Sequence, residues 1–178
     1  MLFKTGDSVD LQLGTDPAAP AERGGPVPGD IRLLIAPFEE GNIAVLYRHR
    51  LGKTKIKAEG QTASVSKPDD SVVFQSPWRN EKVDSVQRLD SARIQVKRRG
   101  DSYQVEATLP LADLGLSGEA FGRPLRADFG VIYGDASGST NIFRNYWSNQ
   151  ATGLVNDVPG EIMLTPRLWG EVTFEKRP

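Results

Sequence analysis

Apolar and polar residues alternate along this chain in short runs, and each run is soon cut off by Gly, Pro, Asn or Asp. Alternation of this kind sets one side of an extended segment against a core and the other in water. Val9, Leu11 and Leu13 alternate with Ser8, Asp10 and Gln12. Ile94 and Val96 alternate with Arg93, Gln95 and Lys97. Gly100-Asp101 then turns the chain, and Tyr103, Val105, Ala107 and Leu109 return along one side, the pattern of a hairpin. Leu125, Ala127, Phe129, Val131 and Tyr133 repeat it. Further strands are predicted at 30–36, 43–48, 72–74, 83–89, 92–98, 143–147 and 170–175, with weaker signals around Ile56 and Val65 and loops at 14–29 and 149–168. One segment differs: Pro110, Leu111 and Leu114 three apart, and the following Gly115 predict a single helical turn at 110–116. Strands this short and closely spaced, with almost no helix, predict an all-β antiparallel sandwich, jelly-roll-like in type. No repeat or linker divides it, so one domain over 1–178 is expected.

Composition removes several function classes. Basic and acidic residues nearly cancel, 22 against 23, which gives no drive toward a polyanion such as nucleic acid. Lys97, Arg98 and Arg99 lie beside the Gly100 turn and read as solvated hairpin charges. The chain has no cysteine and one histidine, His49, so disulfides, thiolate chemistry and most histidine-based catalysis fall away. No apolar run approaches the ~20 residues of a membrane span, and Met1-Leu2-Phe3-Lys4 is too short and polar for a signal peptide.

The stretch Phe143-Arg144-Asn145-Tyr146-Trp147-Ser148-Asn149 is the richest in binding chemistry. At strand spacing Phe143, Asn145, Trp147 and Asn149 share one face, and Ile142, Arg144, Tyr146 and Ser148 the other. A flat ring covers the C–H face of a pyranose, and an amide beside it both donates to and accepts from hydroxyls. The competing reading makes Trp147 and Phe143 core residues.

Four segments, taken in order, carry a resemblance: Gly6-Asp7-Ser8-Val9-Asp10-Leu11; the strand from Tyr103 running into Leu109-Pro110-Leu111-Ala112-Asp113-Leu114-Gly115-Leu116; Asp128-Phe129-Gly130-Val131; and Tyr146-Trp147-Ser148-Asn149. Together they resemble the family 9 carbohydrate-binding modules and the wider DOMON-like β-sandwiches. The resemblance implies a non-catalytic module that binds a mono- or oligosaccharide, without nucleic acid or membrane as partner, usually as part of a larger extracellular or periplasmic polysaccharide-binding protein. It implies two rings clamping a terminal sugar, with an acid, a base and an amide holding its hydroxyls. By position Asp10 matches the acid, Arg32 the base, Asn145 the amide and Trp147 the second ring. The first ring, a Trp in the family, is matched only by Phe3. The family pattern also has strands ahead of the Gly6-Asp7 strand, so the chain reads either as an N-terminally truncated piece or as one in which those strands are dispensable, and it is expected to self-associate through the edge this leaves.

Other residues and functions stand beside this reading. Trp78, in a loop context, is a second candidate contact; Trp169 reads as a core plug. Asp7, Asp10, Asp128 and Asp135 are oxygen ligands for a possible structural calcium, although their spacing matches no calcium loop. His49 and Met163 form the one pair available for haem in a DOMON-type electron-transfer domain, with His49 expected at an exposed strand end. A glycosidase needs two carboxylates flanking a cleft, and here the acids are scattered through turns, so no enzyme is expected. A structural or docking sandwich without sugar binding is the remaining alternative.

Overall fold

The computed structural model describes residues 2–39, 41–52, 70–153 and 157–176. Among these residues eleven strands form in order: β1 (Ser8–Gly14), β2 (Asp30–Phe38), β3 (Gly41–Arg48), β4 (Val72–Gln75), β5 (Asn80–Val83), β6 (Ser85–Arg88), β7 (Arg93–Arg99), β8 (Ser102–Thr108), β9 (Pro124–Gly134), β10 (Asn141–Tyr146) and β11 (Gly170–Thr173). Among the described residues the one α-helix, α1 (Val158–Ile162), is short. The fold is all-β and antiparallel, a sandwich-like arrangement as the alternation predicts.

The main sheet has seven strands in the order β10-β9-β1-β2-β3-β6, with β11 also on β9. The length of β9, 11 residues, explains the branch: Pro124 to Ala127 pair with β11, and Gly130 to Gly134 pair with β10. β1 lies between β2 and β9. β2 is central, and its run Leu33-Leu34-Ile35-Ala36 is apolar at every position because both faces of the strand are covered.

Each face has its own core. On the first face Leu13, Ile31, Leu33, Leu46 and Leu125 pack beneath Ile94 and Val105 of the β7–β8 hairpin and beneath Leu111, Leu114 and Leu116. The expected helical turn is a 3-10 turn over Leu111–Leu114, closed by Gly115 at φ 77°, a left-handed position that glycine takes without strain. On the second face Leu34, Tyr47 and Ile132 pack beneath Phe3, beneath Phe74 and Val83 of the β4–β5 hairpin, and beneath Ile162 of α1. Each fully buried Leu or Ile is worth about 1.5–3 kcal/mol over leaving it in water.

Two expectations are corrected. The strand expected at 83–89 is two strands in different sheets: Val83 pairs with Val72, while Ser85 to Arg88 pair with β3. The chain turns at Asp84, whose carboxylate accepts the Leu51 N–H at 3.0 Å, so one short segment serves two layers. The loop expected at 149–168 contains α1 and a 3-10 turn, Pro166–Leu168; these are too short for a 3.6-residue period to show. The weak strand signals at Ile56 and Val65 lie outside the described residues.

Candidate ligand-binding face

The residues expected around one sugar sit on opposite faces of the main sheet. Asp10, Gly130 and Tyr146 are in cross-strand register, so Tyr146 points to the same face as Asp10. Its neighbours Asn145 and Trp147 therefore point to the other.

On the second face, Asp10 and Arg32 are fully buried and hold each other. Arg32 Nη2 donates to Asp10 Oδ2 at 2.7 Å and Nε to the same oxygen at 3.0 Å, while Nη1 donates to the Glu161 carbonyl at 2.8 Å. The Tyr146 hydroxyl donates to Asp10 as well. Burial by itself pushes the Arg32 guanidinium down, but the Asp10 carboxylate reverses this and the net shift is upward; burial and Asp10 together push the Tyr146 hydroxyl up. Phe3 is fully buried too. Its ring lies 5.4 Å from the Arg32 guanidinium and packs edge-on against Tyr47 and Phe74. The acid, the base and the first ring are thus corrected from a sugar site to a sealed ion pair with an aromatic cover. A bidentate pair in a dry interior satisfies itself, and no lone pair or N–H of it is turned to solvent.

The same interior holds a second ionic group. Glu161 accepts from Lys4 Nζ and from Asn141 Nδ2, each at 2.9 Å, and from Arg144. This ties the N-terminal segment, β10 and α1 together. His49, expected to be exposed, is fully buried with Nε2 at 2.8 Å from the Ile162 carbonyl. Met163 is 45% exposed. Trp169 is the core plug expected, its indole N–H donating to Gln12 Oε1 at 3.0 Å. Trp78 is 76% exposed at the turn between β4 and β5. That hairpin covers the second face, so Trp78 and Trp147 belong to opposite sides of the sheet.

The first face is different at β9 and β10, where the cover of the β7–β8 hairpin ends. Trp147 and Phe129 stay 48% and 49% exposed, and Tyr133 and Phe143 stay 39% and 55% exposed. Phe129 and Trp147 stack with centroids 5.3 Å apart and planes 12° apart; Tyr133 and Phe143 lean together at 5.8 Å and 31°. Exposed Asn145, in register with Val131, lies between the two pairs. A register shift between Asn141 and Phe143 makes Ile142 an extra exposed residue rather than an inward neighbour of Arg144.

Two local devices set Trp147 in place. Asp128, fully buried, accepts N–H groups from Phe129, Ser148 and Asn149, all at 2.9 Å, and so folds the chain over immediately after Trp147. Gly170 leaves room for the indole: a Cβ there would lie 2.3 Å from Trp147 Cζ3. Gly130 does the same for Tyr146, since a Cβ would meet the Asn145 carbonyl at 2.3 Å.

The four aspartates considered for calcium are engaged separately. Asp7 accepts the Gly134 N–H, Asp10 holds Arg32, Asp128 holds the turn after β10, and Asp135 closes its own loop with Ser137 and Ser139. Among the described residues no three His, Cys, Asp or Glu side chains are grouped to hold a metal ion, and no helix is long and apolar enough to cross a membrane.

Alternation on 125–133 puts Phe129 and Tyr133 on one face with Leu125 and Ala127 and does not single them out. The signal that marks them is the matching four-residue spacing of Phe143 and Trp147 on the next strand, which makes two rows of rings on one face. Comparison of the chain with protein-family models, with curated proteins and with solved structures found no match.

Proposed function

We propose that this chain is a non-catalytic carbohydrate-binding module that engages sugar on the open face of β9 and β10. The observation that supports this is the half-exposed Phe129–Trp147 stack with Asn145 beside it on the same face. The half-exposed rings give an apolar surface for sugar C–H groups, and their own pairing contributes about 0.5–1.5 kcal/mol beyond area burial. The Asn145 amide supplies both donors and an acceptor for hydroxyls. From Leu125 to Tyr133 the residues on this face are all apolar or aromatic, and Asn145 is the polar group between Phe143 and Trp147, which suits adhesion and not acid–base chemistry. Asp10, Arg32 and Phe3 take no part in contact.

A second reading, a docking sandwich, has its own support. β8 is hydrogen-bonded only to β7 among the described strands, so an unpaired strand edge lies on the hairpin that covers the rest of the first face, and exposed edges recruit other chains. Calorimetry against a panel of mono- and oligosaccharides, with Trp147→Ala beside the parent chain, tests the first reading. Binding that is lost in the variant supports it. Equal binding by both removes Trp147 from the site. No binding to any sugar, with concentration-dependent association in light scattering, favours docking.

A further inference from the structure

We infer that the cleft between the β7–β8 hairpin and the main sheet is a second site, away from β9 and β10, for an aliphatic amine: a cationic head on an apolar body. The hairpin packs onto the first face at Ile94 and Val105. Val96 is the next residue on the same side of β7, in register with Val105, yet it is 37% exposed. The two layers part here, and a cavity of about 730 Å³ opens between them. Sites for small organic molecules fall in roughly this range, 300–1,000 Å³. The apolar walls are Val9 and Ile35 on the sheet and Val96 and Val105 on the hairpin. All four are branched aliphatic side chains, which suits a flexible alkyl body.

The mouth of the cleft is acidic. Asp7 precedes β1, Glu39 follows β2 and Asp101 lies in the turn of the β7–β8 hairpin, so three separate parts of the chain bring carboxylates to one opening. Against them the lining carries one guanidinium, Arg98. None of these four charges is in an ion pair among the described residues. Asp7 is held in place through Oδ1, which accepts the Gly134 N–H at 2.8 Å, and its other oxygen is left for a ligand. Tyr103 faces Arg98 across the hairpin and lines the same opening. Burial, and then the nearby Asp7, push its hydroxyl up, so it stays neutral and offers an acceptor to an ammonium group. An anionic head here would meet three carboxylates and one guanidinium, whereas an ammonium head meets the favourable excess. The chain as a whole carries a net charge of only −1, so the attraction belongs to this mouth and not to the surface at large.

Calorimetry with octylamine, octanol and octanoate, which share one apolar body and differ in the head, tests this. Octylamine binds, octanol binds about tenfold more weakly, and octanoate is weakest of the three. Added salt weakens octylamine and spares octanol. Glu39→Gln combined with Asp101→Asn, both at exposed positions, lowers octylamine affinity by roughly fivefold and leaves octanol unchanged. Val96→Phe fills the cleft and weakens both. Octanol or octanoate binding as tightly as octylamine overturns the inference. So does octylamine binding that none of these substitutions alters, and so does the absence of octylamine binding to protein folded by circular dichroism. None of these residues lies on β9 or β10, so the outcome of the sugar panel bears on the carbohydrate reading alone.

Discussion

The Asp128 carboxylate accepts the Ser148 N–H at 2.9 Å, and this bond, made one residue past Trp147, fixes how the indole leaves the end of β10. With the Phe129 and Asn149 bonds it satisfies backbone donors that lie on no ladder. Asp128→Ala leaves them without a partner, each at about 1–3 kcal/mol if water does not enter. In a Trp78→Phe background the variant loses roughly 2–4 kcal/mol in urea unfolding, and the near-ultraviolet circular dichroism of the Phe129–Trp147 stack weakens. Asp128→Asn keeps one acceptor oxygen and falls between. A full stack signal in the alanine variant would show that Phe129 alone places the indole.

Two glycines separate a clash with a side chain from a clash with backbone. Gly170→Ala sets a methyl 2.3 Å from Trp147 Cζ3 and 2.5 Å from Cη2. The indole is half exposed and can swing outward, so the variant stays folded and loses about 1–2 kcal/mol, the order of an aromatic pair. In a Trp78→Phe background, with Trp169 buried, acrylamide quenching rises, and sugar affinity falls with it. Gly130→Ala puts the methyl 2.3 Å from the Asn145 carbonyl and 2.8 Å from the Tyr146 ring. There β9 and β10 must separate, and the loss reaches about 3 kcal/mol or more. Similar stabilities for the two variants would mean that the indole is as fixed as the strand.

The strands were legible because a two-residue period survives wherever one face is covered: β1, β7, β8 and β9 fall where alternation puts them. β4–β6 were blurred because Val83 and Val86, only three residues apart, serve different sheets. The site was half legible. The sequence paired Asn145 with Trp147 through simple alternation. It grouped Asp10 and Arg32 with them because neither pattern nor resemblance reports which side of a doubly covered sheet a residue faces. The register of Asp10 with Gly130 and of Tyr146 with Gly130 decides that, and register is a long-range property.

The sealed ion pair makes its own test. Asp10→Asn or Arg32→Met leaves a buried charge without its counter-ion, and each costs about 3–5 kcal/mol. Replacing both with apolar residues removes the uncompensated charge, so Asp10→Leu with Arg32→Met is no less stable than either single variant. Urea unfolding of the parent chain, Asp10→Leu, Arg32→Met and the double variant gives the coupling. Because neither residue reaches the open face, Asp10→Asn keeps the sugar affinity of the parent chain at temperatures where it is folded. A single-variant loss below about 1 kcal/mol would place the pair in water.

His49 makes stability depend on pH in a defined window. Burial lowers its pKa most; the Ile162 carbonyl bond opposes this, and the nearby Arg32 and Arg50 charges lower it further while Asp10 raises it, leaving a value of about 4 against the ordinary 6.5. A carbonyl only accepts, so Nε2 carries the hydrogen, and Nδ1 is left without a donor among the described residues. The folded pKa lies below the unfolded one, so the unfolded chain takes up the proton first. The contribution is therefore fully present above about pH 6.5, is lost as pH falls toward 4, and amounts to the order of 3 kcal/mol. His49→Gln keeps a donor for the carbonyl and removes the titration. The stability difference between the two proteins then narrows from pH 7 to pH 4 by about that amount. As the chain has one histidine, long-range proton–nitrogen spectra read its state directly, with a neutral ring protonated at Nε2 expected at pH 5.5. A charged ring at that pH would place His49 in solvent, outside the interior it shares with Arg32.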